Sequence, residues 1–107
     1  MGVKPASSYV FRIFVSPVGP YFKGGFGPEK GQKFRVSQYD RAAPHGTGHI
    51  KAGGNYACSF FPGRDAKSQG YAEALYLDPQ EHKYIDELGA ANFMAHKNNP
   101  CLTPTST

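Results

Sequence analysis

His45-Gly-Thr-Gly-His-Ile-Lys51-Ala-Gly-Gly-Asn-Tyr56 places a single lysine between two pairs of glycines. Residues without a Cβ let the backbone come close to a ligand and turn sharply on either side of the lysine. The stretch is not a phosphate-cradling P-loop, because no Gly-Lys-Ser/Thr follows. Nor is it a dinucleotide fingerprint, because Lys51 occupies the place of the third glycine. On composition alone, a glycine-rich surface loop with an exposed lysine remains the stronger reading.

Working outward, Asn55 can cap a helix over residues 56–69, with Gly70 in the C′ position and Pro62 bending or interrupting it. Residues 43–54 form a flexible stretch rich in glycine, and 33–37 (Lys-Phe-Arg-Val-Ser) alternate polar and apolar as a short strand does. Upstream, 17–32 hold eight Pro or Gly residues and read as a long loop, in which Tyr21, Phe22 and Phe26 argue for packing. Residues 9–16 (Tyr-Val-Phe-Arg-Ile-Phe-Val-Ser) have the β-branched and aromatic content of a largely buried strand. Downstream, 72–77 read as a strand ended by Asp78-Pro79, and 84–87, 91–95 and 101–103 as short strands between turns.

The 107 residues are 39% hydrophobic and 19% charged, the balance of a globular chain rather than a disordered one. No apolar run approaches the ~20 residues of a membrane helix, so no membrane association is expected. The N-terminal residues lack a hydrophobic region after their lysine, so neither a secretory nor a transit signal is read there, and the expectation is cytoplasmic. The net charge of +4 is scattered and suits a small anion as well as a nucleic acid. Without a basic stripe or aromatic platform, nucleic-acid binding is not expected. Cys58 and Cys101 share no metal-ligand or disulfide spacing, and His45 and His49 have no second ligand set, so no metal site is expected. His82 and His96 read as exposed polar residues.

The full string shifts the balance. Lys51-Ala-Gly-Gly-Asn-Tyr56, preceded by Arg41-Ala-Ala-Pro-His-Gly-Thr-Gly48 and followed by Ala-Cys-Ser, closely resembles the segment around the cofactor-binding lysine of branched-chain amino acid aminotransferases. These are class IV, fold-type IV pyridoxal-phosphate enzymes. Ser16-Pro-Val-Gly-Pro-Tyr21-Phe resembles their interdomain loop, and Ile85-Asp-Glu87-Leu-Gly-Ala-Ala-Asn92-Phe resembles the segment whose glutamate faces the pyridine nitrogen. Residues 71–79 resemble the strand between. The resemblance spans nearly the whole chain and is weakest after Ala95.

The resemblance implies an α+β class and a partial D-amino acid aminotransferase-like fold, mostly the first part of the large domain. Residues 1–16 would end the small domain, 17–27 form the interdomain loop, and 28–107 begin the large cofactor-binding domain. It implies pyridoxal 5'-phosphate as cofactor, with Lys51 forming an imine with its aldehyde and then moving a proton. Glu87 would keep the ring nitrogen protonated, Tyr56 would bond the ring phenolate, and Tyr21 would line the substrate pocket. The implied activity moves the amino group of leucine, isoleucine or valine to 2-oxoglutarate, in a protein whose full-length relatives are homodimers. D-amino acid aminotransferase or aminodeoxychorismate lyase shares the fold and the lysine, and a truncated, inactive product is the reading from another class. Without the resemblance, Glu87 beside Asp86 reads as a solvated turn carboxylate, Tyr56 as a packed aromatic, and Asn55 and Asn92 as cap and turn residues.

Family members are much longer. The arginine that grips the cofactor phosphate and the threonine and backbone donors completing its cup would lie outside these 107 residues. Each such charge-assisted bond is worth about 1.5–3 kcal/mol. Taken alone, the chain is therefore expected to hold the cofactor weakly and to be essentially inactive.

Overall fold

The computed structural model describes residues 2–22, 24–25 and 29–105. The chain divides into two units, Met1–Lys30 and Gly31–Thr107.

The first unit contains no helix or strand among its described residues. This corrects the strand expected over 9–16. Tyr9, Phe11, Ile13 and Phe14 are 80–88% exposed there, and no neighbouring strand supplies ladder hydrogen bonds. Strand propensity reflects fit to a pleated, half-buried surface, and without one it produces no strand. The expected loop over 17–32 is irregular wherever it is described. Its aromatic packing is partly present, since Tyr21 meets Phe22 edge-on at 5.1 Å between ring centres. Phe26 lies outside the described residues.

The second unit runs β1 (Phe34–Val36), α1 (Gly54–Ala57), α2 (Phe60–Ser68), β2 (Glu73–Leu77), β3 (Ile85–Leu88), β4 (Ala95–His96) and β5 (Cys101–Leu102). It is a mixed α+β arrangement. The strands order β1-β2-β3 in one sheet, with β1 parallel and β3 antiparallel to β2; β4 and β5 pair separately. A parallel pair needs a long crossover, and both helices together with the glycine-rich stretch supply it.

β2 is central. Its period of two places Ala74 and Tyr76 on one face, where they pack with Ala66 of α2 into a small core flanked by Tyr71. The C-terminus of α2 follows the expected pattern. Gly70 takes φ +82°, its N–H donates to Lys67 O, and the N–H of Tyr71 donates to Ala66 O. These two bonds are the Schellman closure, and they turn the chain so that Tyr71 covers the core.

The single helix expected over 56–69 is instead two helices that break at Cys58 and Ser59. Pro62 explains the position of the break. Proline cannot donate to a carbonyl four residues earlier but is tolerated in a helix's first turn, and Pro62 is the third residue of α2. The interruption therefore falls before Pro62 rather than at it. Asn55 is not a cap; it lies inside α1, whose entry residue is Gly53.

Among the short C-terminal candidates, 84–87 and 101–103 correspond to β3 and β5, whereas of 91–95 only Ala95 enters a strand, as the first residue of β4. Asn92 makes only an isolated bridge to Glu87, and pairing resumes at β4. Between β2 and β3, Asp78 accepts the backbone N–H groups of Glu81, Lys83 and Tyr84, each at 2.8 Å. Those donors hold its carboxyl at about 2, below the usual 3.8. No helix among the described residues is long and apolar enough to cross a membrane.

Candidate functional site

Lys51 lies on an exposed loop between β1 and α1. The loop is irregular but tied down. The N–H of Ile50 donates to Thr47 O, that of Ala52 to Ile50 O, and that of Asn55 to Ala52 O. The Asn55 side chain then closes it from inside: Nδ2 donates to Thr47 O and to Ile50 O, both at 2.6 Å, and Oδ1 accepts the Thr47 hydroxyl at 2.8 Å. Gly48 is required for a packing reason. A Cβ there would stand 2.7 Å from the Cβ of Ala42, so the loop can pass Ala42 this closely only without a side chain.

The structure adds a residue to which sequence reasoning gave no role, naming it only within the resembling string and among the scattered charges. Arg41 is 7% exposed. Its Nη1 donates to Asn55 O at 2.5 Å, and its guanidinium carbon lies 5.1 Å from the centre of the Tyr56 ring. Its Nε stands 3.1 Å from Glu87 Oε1, an ion pair without the alignment of a hydrogen bond. Burying a guanidinium is costly unless an anion and acceptors surround it, and these three groups provide that setting. The Cys58 thiol joins the frame by donating to the carbonyls of Arg41 and Asn55. No local pattern marks Arg41 for burial, since its partners lie 14 or more residues along the chain.

Glu87 sits on β3, half-buried, where the turn closed by the Leu88 N–H to Ala91 O bond and the bridge to Asn92 fix its backbone. It faces a cleft of about 390 Å³ lined also by Gly48, His49, Asp86, Asn92 and Thr103. Burial raises the Glu87 carboxyl above its usual range. Arg41 opposes that effect, and Asp86 adds to it. Asp86 is raised as well, first by burial and then by Asp78.

The expected site residues are thus brought together in part. The Lys51 amine lies 5.9 Å from the centre of the Tyr56 ring, the ring that also receives Arg41, and Arg41 pairs with Glu87. Lys51, Tyr56, Arg41 and Glu87 form one chain of neighbours. They do not line one cavity. Glu87 faces the cleft described above, Tyr56 lines a separate hollow of about 220 Å³ with Ser59, Arg64 and Glu73, and Lys51 lines neither. Tyr21 belongs to the first unit, where it is 65% exposed. His45 and His49 are exposed loop residues, and His49 borders the Glu87 cleft.

Chemically, a primary amine on a tethered loop, a phenol beside it and a half-buried carboxylate backed by a guanidinium make a donor set suited to an aldehyde-bearing, protonatable heterocycle. Among the described residues, no group of three or more His, Cys, Asp or Glu side chains could hold a metal ion.

No family model matches the chain. Curated proteins do. It is 50% identical over 107 residues to the branched-chain-amino-acid aminotransferase of Helicobacter pylori, covering 99% of this chain and 31% of that protein. The enzyme of the same name from Haemophilus influenzae is 49% identical over 112 residues, with 99% and 32% covered. Branched-chain-amino-acid aminotransferase 5, chloroplastic, of Arabidopsis thaliana is 41% identical over 97% of this chain and 25% of its own length. The chain spans about a third of the two bacterial relatives. Over almost its entire length, it is homologous to a segment of the branched-chain-amino-acid aminotransferases.

Proposed function

We propose that the chain supplies the lysine-bearing part of a branched-chain amino acid transaminase, which moves the amino group of leucine, isoleucine or valine to 2-oxoglutarate with pyridoxal 5'-phosphate as cofactor. The reading carries the relatives' activity to this chain on one observation: the string around Lys51 sits on a loop pinned beside Tyr56, within a segment up to 50% identical to enzymes of that name. It includes a fold-type IV architecture in which 1–16 end the small domain, 17–27 connect, and 28–107 begin the large domain. A homodimer is part of the same proposal, as is Tyr21 as a substrate-pocket residue.

When bound, the cofactor supplies an electrophilic carbon and a ring able to delocalise negative charge. Lys51 Nζ is the group that binds it covalently and, once released, carries a proton to and from the substrate's α-carbon. The Glu87 carboxylate holds a proton at the ring nitrogen. Arg41 behind it favours the ionised carboxylate, the form that attracts a ring cation. The Tyr56 hydroxyl serves as hydrogen-bond partner to the ring oxygen, and its face remains against Arg41.

The test is a chimera in which this segment replaces its counterpart in the Helicobacter pylori relative. Amino transfer from leucine to 2-oxoglutarate is expected, and Lys51→Ala should lower kcat by about three orders of magnitude or more. A chimera that folds yet keeps its turnover with Lys51→Ala would refute the assignment. A substrate panel including D-alanine and aminodeoxychorismate separates the reading from its superfamily alternatives.

A further inference from the structure

We propose that Asn55 is the positioning residue for Lys51, its side-chain amide acting as an internal clamp that fixes the direction in which the lysine leaves the backbone. The inference rests on the reading of Lys51 given above and assigns Asn55 a role that its place beside the glycines does not suggest.

Four observations carry it. The amide uses both polar atoms on the loop and makes three hydrogen bonds to Thr47 and Ile50, the latter directly preceding Lys51. The carbonyl of the same residue accepts from the buried Arg41, so the clamp is anchored to the guanidinium that pairs with Glu87 rather than to the loop itself. The loop's other ties are its own short backbone bonds, such as Ile50 N–H to Thr47 O and Ala52 N–H to Ile50 O, while Gly46, Gly48, Gly53 and Gly54 leave its backbone permissive. Finally, among the described residues the Lys51 amine meets only the Tyr56 ring, at 5.9 Å, too loose a contact to set its direction. Among the described residues, Asn55 is the one side chain that bonds the 47–52 backbone at two separate carbonyls. An amide is required: a carboxylate offers no donor to the two carbonyls, and a longer glutamine places its donors about one bond length too far.

The experiment uses the 107-residue chain, its Asn55→Asp and Asn55→Ala variants, and pyridoxal phosphate as probe with cyanoborohydride to trap attachment. Peptide mapping gives the labelling rate at Lys51 and, as internal reference, at exposed Lys83. Amide exchange at Ile50 and Ala52 is followed without the probe, and thermal unfolding of each variant is recorded.

The expected result is a fall of about tenfold in Lys51 labelling relative to Lys83 in both variants. Faster exchange at Ile50 and Ala52 should accompany it, with the unfolding midpoint little changed. Labelling and exchange equal to the parent in either variant would overturn the proposal. If a variant unfolds, Asn55→Gln, whose amide donors lie about one bond length too far, decides on the same readouts: the same fall in labelling and faster exchange are expected, and parent-like values would overturn the proposal. Should Lys51 in the parent label no faster than Lys83, exchange at Ile50 and Ala52 alone decides whether Asn55 clamps the loop, and the functional reading of the lysine stands or falls separately on the chimera.

Discussion

Residues 9–16 and 72–77 look alike as sequence, each a run of apolar and aromatic residues bounded by turn formers, yet they end differently. The second contains β2, bonded on both sides, with Tyr76 fully buried. The first has no ladder, and its large side chains are exposed. The contrast lies in what the chain brings to each. β2 follows a helix that returns it to β1 and precedes a turn that returns β3 to it, whereas the described residues that follow 9–16, up to Gln32, form no helix or strand. Apolar content nominates a strand, and available partners decide whether one forms.

Introducing a carboxylate into each run breaks the comparison most sharply. Ala74→Asp puts a carboxylate into the core beside Ala66 and Tyr76, and a loss of about 4 kcal/mol or more is expected, enough to abolish cooperative unfolding in a chain this small. Circular dichroism during urea titration would reveal it; a retained transition would show that β2 is not the centre of the fold.

A smaller effect is expected from the turn that brings β3 to β2. Because the Asp78 carboxyl is held at about 2 in the fold, below the usual 3.8, its contribution is complete above pH ~4 and fades as pH falls through about 2. Asp78→Ala should lower the urea midpoint at pH 7 and flatten the decline between pH 4 and 2. An unchanged acid profile would mean that the three backbone donors do not engage the carboxylate in solution.

The smallest effect is expected in the first run. Phe11→Asp replaces a side chain 88% exposed and should change stability by less than about 0.5 kcal/mol. A loss comparable with that of Ala74→Asp would show that 9–16 pack after all, and the contrast would dissolve.

The local chemistry of the fold was legible in the residues. β1 follows from alternation, β2 from an apolar run ended by Asp78-Pro79, and the closure at Gly70 from glycine placement. The helix break fell before Pro62 because a proline is tolerated in a first turn, and the strand at 91–95 gave way to an isolated bridge. Of the site, Lys51, Tyr56 and Glu87 were nominated by resemblance, and the structure strings them into one chain of contacts without a common cavity. Arg41 was not legible. Its burial arises from Asn55, Tyr56 and Glu87 converging on it, and no window around residue 41 encodes that convergence. Asn55 was misread as a cap because capping and loop clamping use the same amide chemistry.

The parallel pairing of β1 with β2 has a consequence for the lysine. Two parallel neighbours cannot be joined by a tight turn, so every residue from Gln38 to Tyr71 belongs to a circuit whose two ends are stitched side by side into the sheet. The entropic cost of bringing those ends together falls on the sheet. What remains for the lysine is the freedom of a short noose inside a ring already fastened, and there a single amide is enough to draw the knot.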